Sequence, residues 1–121
     1  MKKEELKRII SYLEELAKDL NVQKDNLYLS MQELKYRVDD WKRINRCNAF
    51  YSNYLYHDYE PFMLVKSYNT IVAIYFPTIC LLVSLGRFSR TTYQHIRKFR
   101  NNYTLQRYYT EINLELVNWF K

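Results

Sequence analysis

The chain has 121 residues, of which 48% are hydrophobic and 26% are charged, and its formal net charge is +6 at pH 7. A hydrophobic fraction of this size can form a buried core in a chain of this length, which excludes an intrinsically disordered protein. We expect one domain over residues 1–121, made of a helical part (residues 1–60) and a part with a β-hairpin and helices (residues 61–121).

The two cysteines and two histidines exclude several classes of protein. Cys47 and Cys80 are far apart in the sequence, and one pair of cysteines is fewer than a disulfide scaffold needs. Two histidines and two isolated cysteines also lack the paired spacing of a structural zinc site, so we expect no metal and no cofactor. Because the first ten residues, MKKEELKRII, lack the apolar core of a signal peptide, we expect the protein in the cytoplasm.

Two amphipathic helices are predicted in the first half. Apolar residues recur every three or four positions and predict a first helix over residues 3–20, which ends at Asn21. A second helix can start from a cap at Asp25 or Asn26, and it is predicted to extend beyond Cys47. Its apolar stripe contains Leu27, Met31, Leu34, Val38, Trp41 and Ile44.

Residues 13–32 of this helical hairpin resemble a helix-turn-helix DNA-binding motif. Ala17 lies near the end of the first helix, Asn21 lies at the turn, and Leu27 lies in the second helix. The match is incomplete, because Ser30 stands where the motif has an apolar residue and the second helix begins with little positive charge. The alternatives are a plain helical hairpin and a long helix that pairs with its copy in a homodimer.

A two-stranded antiparallel β-hairpin is predicted over about residues 62–88. The tyrosine-rich residues 48–62 before it follow no single period. The runs FMLVKSYNTIVAIYF and ICLLVSLGRF both favour strands, and Pro77 and Thr78 separate them as a short turn. The uncharged residues 67–86 also raise a membrane-spanning helix as a minor alternative, which the central proline and the polar and β-branched residues disfavour.

The charge of the chain is concentrated in its second half. Residues 1–60 contain eleven basic and eleven acidic residues, whereas residues 61–121 contain eight basic and two acidic residues. Between Arg87 and Arg107 there are six basic residues and no acidic residue. This distribution predicts a local positive field, and therefore a polyanionic partner, in that part of the molecule.

A basic amphipathic helix is predicted over about residues 89–102, and Ser89 can cap it. Its apolar face carries Thr92, Ile96, Phe99 and Tyr103, and its outer face carries Arg90, Tyr93, Arg97 and Arg100. Apolar residues from Leu105 to Trp119 predict a C-terminal helix that packs on the core. The expected fold class is α+β, with an N-terminal helical hairpin, a two-stranded β-hairpin, the basic helix and the C-terminal helix.

Two segments, KSYNTIVAIY and GRFSRTTYQHIRKF, resemble a family of short uncharacterised proteins of phages and plasmids of Gram-positive bacteria. The resemblance covers about residues 62–103 and implies a β-hairpin followed by a helix, with an origin in a mobile element and no established activity. The turn at residues 76–80 departs from the polar turn of that family and is either buried or an exposed apolar contact surface. The matching positions are Ser67, Tyr68, Asn69, Thr70, Val72, Ala73, Phe88, Ser89, Thr91, Thr92, His95, Ile96 and Phe99.

The basic and aromatic residues are the candidates for a site that binds a partner or nucleic acid. Tyrosine brings a large contact area and can stack on unpaired bases, although some of the thirteen tyrosines can instead complete the edge of the core. The candidates are Arg87, Arg90, Tyr93, Arg97, Lys98, Arg100, Arg107, Tyr54 and Tyr56. Ser89, Thr91 and Thr92 are assigned to the helix cap, with anion binding at the helix N-terminus as the alternative.

The sequence contains no convincing catalytic constellation. His57, Asp58 and Glu60 are adjacent ionisable residues, and we expect them in a solvated loop. His95 is expected to have a structural role, with contact to a phosphate or a partner as the alternative. Because Gly86 is the only glycine, a glycine-rich phosphate loop is excluded, and we expect no enzyme.

These observations predict a small non-enzymatic accessory protein of a phage or mobile element. Its expected partner is a host nuclease effector, a ribonucleoprotein or nucleic acid, and the most concrete version is an anti-CRISPR-type inhibitor of a CRISPR nuclease effector. The alternative is a transcriptional regulator that binds duplex DNA through residues 13–32 and requires a two-fold dimer.

Overall fold

The structure, a computed structural model, describes residues 3–86, 88–103 and 110–114. Its helices and strands follow each other in this order: α1 Lys3–Asp19, α2 Leu27–Glu33, a 3-10 helix Leu34–Arg37, β1 Trp41–Arg43, β2 Ala49–Ser52, β3 Leu55–His57, β4 Glu60–Ser67, β5 Thr70–Phe76, a second 3-10 helix Pro77–Ile79, β6 Leu81–Ser84, α3 Arg90–Tyr103 and β7 Thr110–Asn113. All the strands join one mixed sheet, in the order β1-β2-β4-β5-β6-β7, with β3 also paired to β4. Neighbouring strands are antiparallel except for β6 and β7, which are parallel.

The central strands β4 and β5 are buried on both faces. Every residue from Phe62 to Val65 and from Ile71 to Phe76 is buried. Continuous apolar runs of this kind belong to strands that are covered on both sides, because a strand with one wet face alternates apolar and polar residues. Helices α1 and α2 cover one face of the sheet, and α3 covers the other.

The core therefore has two halves that meet at the sheet. On the first face, Leu13, Leu16 and Met31 of α1 and α2 pack with sheet residues Phe62, Leu64, Ile74, Phe76 and Val83. On the second face, Ile96 and Phe99 of α3 pack with Met63, Val65, Val72, Tyr75 and Leu82. The alternation of neighbours such as Met63 and Leu64 follows from the two-residue repeat of a pleated strand.

Strands β2 and β3 are two halves of one interrupted strand along the edge of β4. Residues Ala49 to Tyr51 pair with the second half of β4, and Leu55 to His57 pair with its first half. Between the two halves, the buried Ser52 Oγ accepts a hydrogen bond of 2.8 Å from the Leu64 backbone N–H. The serine hydroxyl thus replaces a missing partner in the ladder and satisfies a buried donor.

Two tight turns carry non-glycine residues with positive φ. His57 pairs with Glu60, so Asp58 and Tyr59 form a two-residue turn with φ of 49° and 65°. Positive φ at both positions defines a type I′ turn, whose twist matches that of the flanking strands. In the turn between β4 and β5, Tyr68 has φ 55°.

The predicted fold class is wrong, since a seven-stranded sheet replaces the two-stranded hairpin. The run FMLVKSYNTIVAIYF was predicted as one strand but forms β4 and β5, because the chain reverses at Tyr68 and Asn69. Tyrosine is not a typical turn residue, so the local sequence hides this turn. The turn predicted at Pro77 and Thr78 does exist, as the 3-10 helix between β5 and β6.

The second predicted helix is much shorter than expected. Helix α2 ends at Glu33, and the residues predicted as its continuation form a 3-10 helix and the strands β1 and β2. The apolar spacing of Val38, Trp41 and Ile44 is compatible with a helix, but the backbone of β2 pairs with the edge of β4 and β1 pairs with β2. Pairing with distant strands overrides the local helical pattern here.

The predicted C-terminal helix is also wrong in part. Residues Thr110–Asn113 form β7, which pairs with β6, and Ile112 is buried in the first half of the core. The rest of the predicted helix lies outside the described residues. By contrast, α1 and α3 lie where the sequence predicts the first helix and the basic helix.

The segment of residues 67–86 forms strands and turns in the centre of the sheet. Within the described part of the chain, no helix has both the length and the apolar character to cross a membrane. In the turn after β5, Phe76 is buried, whereas Ile79 is 57% exposed. The apolar turn at residues 76–80 is therefore anchored at its start and exposed at its tip.

Gln32 joins α2 to the sheet. Its side-chain Nε2 donates to the Ile71 carbonyl oxygen at 2.7 Å, and its Oε1 accepts from the Ile71 backbone N–H at 2.8 Å. The pairing of β4 with β5 shifts register between Val65 and Lys66, next to this point. The amide group of Gln32 thus supplies both hydrogen-bond partners for a buried residue beside a β-bulge.

We predict that Gln32→Ala lowers the free energy of unfolding by about 1–3 kcal/mol, because it leaves the buried N–H and C=O groups of Ile71 without partners. Urea denaturation measures the change. The control is Gln23→Ala, which replaces an exposed glutamine and should stay within about 0.5 kcal/mol. Equal effects of the two substitutions would contradict the role of Gln32.

We predict that Tyr59→Gly raises the free energy of unfolding by about 0.5–1 kcal/mol, because a left-handed non-glycine residue is strained and glycine is not. The Tyr59 residue is 100% exposed, so no packing is lost. Thermal denaturation compares this variant with Tyr36→Gly, which changes another exposed tyrosine within a 3-10 helix and should destabilise. A loss of stability in Tyr59→Gly would refute the strain at this turn.

Candidate polyanion-binding surface

Helix α3 begins at a serine cap, as the sequence predicts. The Ser89 Oγ accepts a hydrogen bond of 3.3 Å from the Thr92 backbone N–H. This contact satisfies one of the free amides of the first turn, which suits a serine directly before a helix. Thr92 Oγ1 also lies 3.5 Å from Ser67 Oγ on β4, whereas Thr91 is exposed. Ser89 and Thr92 therefore act in the cap and its contact with the sheet.

Helix α3 runs along β4 from Ser67 toward the start of that strand. His95 Nδ1 lies 2.8 Å from Ser67 Oγ, and one turn later Phe99 packs edge-on against Tyr75, with 5.9 Å between ring centroids. Tyr75 is the strand partner of Met63. Helix α3 therefore packs over β4 from Ser67 to Met63, and it continues to Tyr103.

The outward face of α3 is cationic. Arg90, Arg97 and Lys98 are exposed, and α3 contains no acidic residue. Among the side chains that the structure describes, no carboxylate forms an ion pair with Arg90 or Arg97. Lys98 Nζ donates to Cys47 Sγ at 3.0 Å, which joins the loop between β1 and β2 to the helix. The positive charges of these three residues attract anions from solvent.

Two of the predicted tyrosines lie on the same face of the sheet as α3. Tyr56 pairs with Pro61 and points away from its neighbour His57, which packs against Tyr12 of α1 on the opposite face. Tyr54 is close enough to Tyr75 to contribute to the raised pKa of that hydroxyl, after burial and Cys80. Both Tyr54 and Tyr56 are exposed.

We call the exposed set of Arg90, Arg97, Lys98, Tyr54 and Tyr56 the α3 surface. Its cations stand on α3, and its tyrosines belong to the sheet face on which α3 packs. Residues 54 and 90 are far apart in the sequence, so only the fold brings the two sets to one side of the molecule.

The remaining predicted site residues are not part of the α3 surface as defined here. The Tyr93 hydroxyl accepts from Asn113 Nδ2 at 3.0 Å and lies 3.5 Å from the Gly86 carbonyl oxygen, so it joins α3 to β7 and to the end of β6. Arg100 is half-buried. Arg87 and Arg107 lie outside the described residues.

His95 is a buried residue with a hydrogen-bond partner. It is 6% exposed, and its ring faces Ser67 and lies 5.9 Å from the Tyr68 ring. Burial, and then the positive charge of Lys98, hold the pKa of His95 below its usual value. The neutral imidazole is therefore favoured in the folded state, which agrees with a structural role.

A second cationic and aromatic cluster lies on the opposite face of the sheet, and no sequence pattern predicted it. Arg43, Phe50 and Lys66 are cross-strand neighbours on β1, β2 and β4. Lys66 Nζ lies 4.3 Å from the ring centroid of Trp41 and 5.1 Å from that of Phe50. Burial and the nearby charge of Lys35 lower the pKa of Lys66. Only strand pairing reveals this row, because its members are far apart in the sequence.

The segment that resembles a helix-turn-helix motif packs on the first face of the sheet. Helix α2 has seven residues, of which Leu27, Ser30 and Met31 are buried. Asn26 caps the helix, and the Ser30 hydroxyl donates to the Asn26 carbonyl oxygen at 3.0 Å. Ser30, the residue that departs from the motif, thus helps to fix the start of the short helix.

The fold and the site define a class of α+β protein in which helices cover both faces of a mixed sheet and one helix presents a cationic surface. Residues 20–115 match the model of a family described as a family of unknown function (DUF8033). The match spans most of the chain, from the end of α1 to the end of β7, and the protein belongs to this family. No curated protein and no solved structure matches the chain significantly.

We predict that His95→Asn makes stability less dependent on pH. The unfolded state binds a proton on His95 more readily than the folded state, so the wild-type protein loses stability as the pH falls below about 6.5. Urea denaturation of both proteins between about pH 7.5 and 5.5 should show a shallower slope for the variant. His57 is present in both proteins, so its contribution cancels, and parallel curves would contradict the prediction.

Proposed function

We propose that this protein is a non-enzymatic binding protein whose α3 surface contacts a polyanion, with nucleic acid as the first partner and an acidic protein surface as the second. The observation that carries this proposal is the outward face of α3. Arg90 and Arg97 are exposed there, on a helix without acidic residues, and no carboxylate among the described side chains pairs with them. When such cations neutralise phosphates, the counterions condensed on the nucleic acid are released, which makes binding favourable at low salt.

The tyrosines favour nucleic acid over a simple acidic surface. Tyr54 is 51% exposed and Tyr56 is 62% exposed, on the sheet face that also carries α3. An exposed ring beside a row of cations can stack on an unpaired base while the cations follow the backbone phosphates. The combination therefore favours a flexible single strand or an RNA loop over regular duplex DNA.

In its most concrete form, the proposal makes this protein an accessory protein of a phage or mobile element. It would act in the cytoplasm of the host, as an anti-CRISPR-type inhibitor that docks on a nuclease effector or its guide RNA. The sequence resemblance of KSYNTIVAIY and GRFSRTTYQHIRKF supports this form. The transcriptional regulator that uses residues 13–32 is the competing function, and it differs in requiring duplex DNA and a homodimer.

The test is the affinity of the purified full-length chain for labelled single-stranded RNA, single-stranded DNA and duplex DNA, measured by fluorescence anisotropy at several salt concentrations. We predict that the double variant Arg90→Glu/Arg97→Glu weakens binding at least about tenfold at 0.1 M salt. The magnitude of the slope of log K against log salt should fall by about two for duplex DNA and by less for single strands, because two phosphate contacts are lost.

The matched control is Lys7→Glu/Arg8→Glu, which changes the net charge equally on exposed positions of α1, the helix that covers the opposite sheet face. Equal losses in the two double variants would show an effect of net charge alone and would remove α3 from the proposal. A loss with Arg43→Glu but not with the α3 variant would assign binding to the row of Arg43, Phe50 and Lys66 instead.

The partner itself is tested by affinity purification of the tagged protein from a bacterial lysate, with and without nuclease treatment. Recovery of a nuclease effector that survives digestion, and that the α3 double variant loses, supports the inhibitor. Recovery of duplex DNA that is insensitive to the α3 variant supports the regulator. Recovery of the same proteins by both double variants would contradict a role of the α3 surface.

A further inference from the structure

We propose that Asp19, His57 and Asp58 form a binding site for a divalent transition-metal cation. The three residues come from different elements: Asp19 is the last residue of α1, His57 ends β3, and Asp58 begins the turn into β4. One ligand atom from each lies within 4.8 Å of the other two. The site is on the sheet face of α1, opposite to the α3 surface, so it is independent of the proposed function.

The strongest observation is the unpartnered nitrogen of His57. The residue is 5% exposed, and its Nε2 has no hydrogen-bond partner among the described residues. The nearest acceptors are Asp58 Oδ2 at 3.6 Å and Asp19 Oδ2 at 3.7 Å, both beyond the usual length of a hydrogen bond. A buried polar atom without a partner is rare in folded proteins, and this nitrogen lies near two carboxylates that could bind a cation together with it.

The spacing of the ligand atoms fits a metal ion better than direct hydrogen bonds. Metal–ligand bonds of about 2.0–2.2 Å place neighbouring ligand atoms about 3–3.6 Å apart, close to the two distances from His57 Nε2. The ring of Tyr12 packs edge-on against the imidazole, with 5.4 Å between centroids, and helps to hold it. The carboxylates of Asp19 and Asp58 are 55% and 81% exposed and can adjust to the ion.

The surroundings of the site are negatively charged. Burial first, and then the carboxylates of Glu60, Asp58 and Glu15, raise the pKa of the Tyr12 hydroxyl. A cation would reduce the repulsion among these carboxylates. Among the described side chains, no lysine or arginine forms an ion pair with Asp19 or Asp58.

The ligand set indicates the class of metal. Imidazole favours zinc and other transition metals, whereas carboxylates alone favour calcium or magnesium, so one nitrogen with two oxygens favours a transition metal. Three protein ligands leave a fourth position of a tetrahedral ion open toward solvent. The competing explanation is that Asp19, His57 and Asp58 contact only each other and bind no metal.

The experiment titrates the tag-free full-length chain, first treated with a chelator, with Zn²⁺ by calorimetry and with Co²⁺ by visible absorption. We expect one equivalent of saturable binding, and a rise of the thermal unfolding midpoint with Zn²⁺ concentration because only the folded state holds the site. Absence of saturable binding up to about 1 mM metal would overturn the proposal.

The decisive variants are Asp58→Asn and Asp19→Asn. Asparagine tolerates the positive φ of 49° at position 58, and position 19 is an exposed helix end, so both variants should fold without metal. Each should weaken the Zn²⁺ affinity at least about tenfold and lose the metal-dependent rise of the midpoint. His95→Asn and Asp39→Asn are the controls, because they change the other buried histidine and an exposed aspartate elsewhere. Unchanged affinity in both aspartate variants would refute the site.

Discussion

The burial of β4 and β5 on both faces is the constraint on which the rest of the structure depends. Phe62 to Val65 and Ile71 to Phe76 are apolar without interruption, so neither face of this hairpin can meet water. Two layers of helices are therefore required. Helices α1 and α2, which precede the strands in the sequence, form one layer, and α3, which lies between β6 and β7 in the sequence, forms the other. Gln32 reinforces the first layer, because its amide completes the hydrogen bonds of Ile71 where the ladder shifts register.

This constraint also explains why a cationic surface is possible on α3. The helix must present Ile96 and Phe99 to the sheet, and this requirement uses only one side of it. The other side carries no packing demand, so its composition is free to serve a partner. Among the described side chains, no carboxylate pairs with Arg90 or Arg97, and such an uncompensated positive surface attracts anions.

The two histidines show how burial gives the same residue type two different roles. Both are almost fully buried, at 6% and 5% exposure. His95 faces the Ser67 hydroxyl at 2.8 Å beside a lysine, so its neutral form is satisfied. His57 faces Asp19 and Asp58 with an unpartnered nitrogen, so its surroundings favour a positive species, which is a metal ion in our proposal.

The sequence by itself determined the elements whose signals are local. The first helix, the basic helix with its Ser89 cap, and the positive charge of the second half were all readable from spacing and composition. The tertiary structure decided the sheet, because β1, β2 and β7 exist through pairing with distant strands and their own residues carry weak or helical signals. It also decided both candidate sites. Tyr56 lies on the same sheet face as α3, and Asp19 lies near His57, only because the strands and helices pack together in the fold. A sequence pattern shows spacing along the chain and not contacts between residues that are far apart in the sequence.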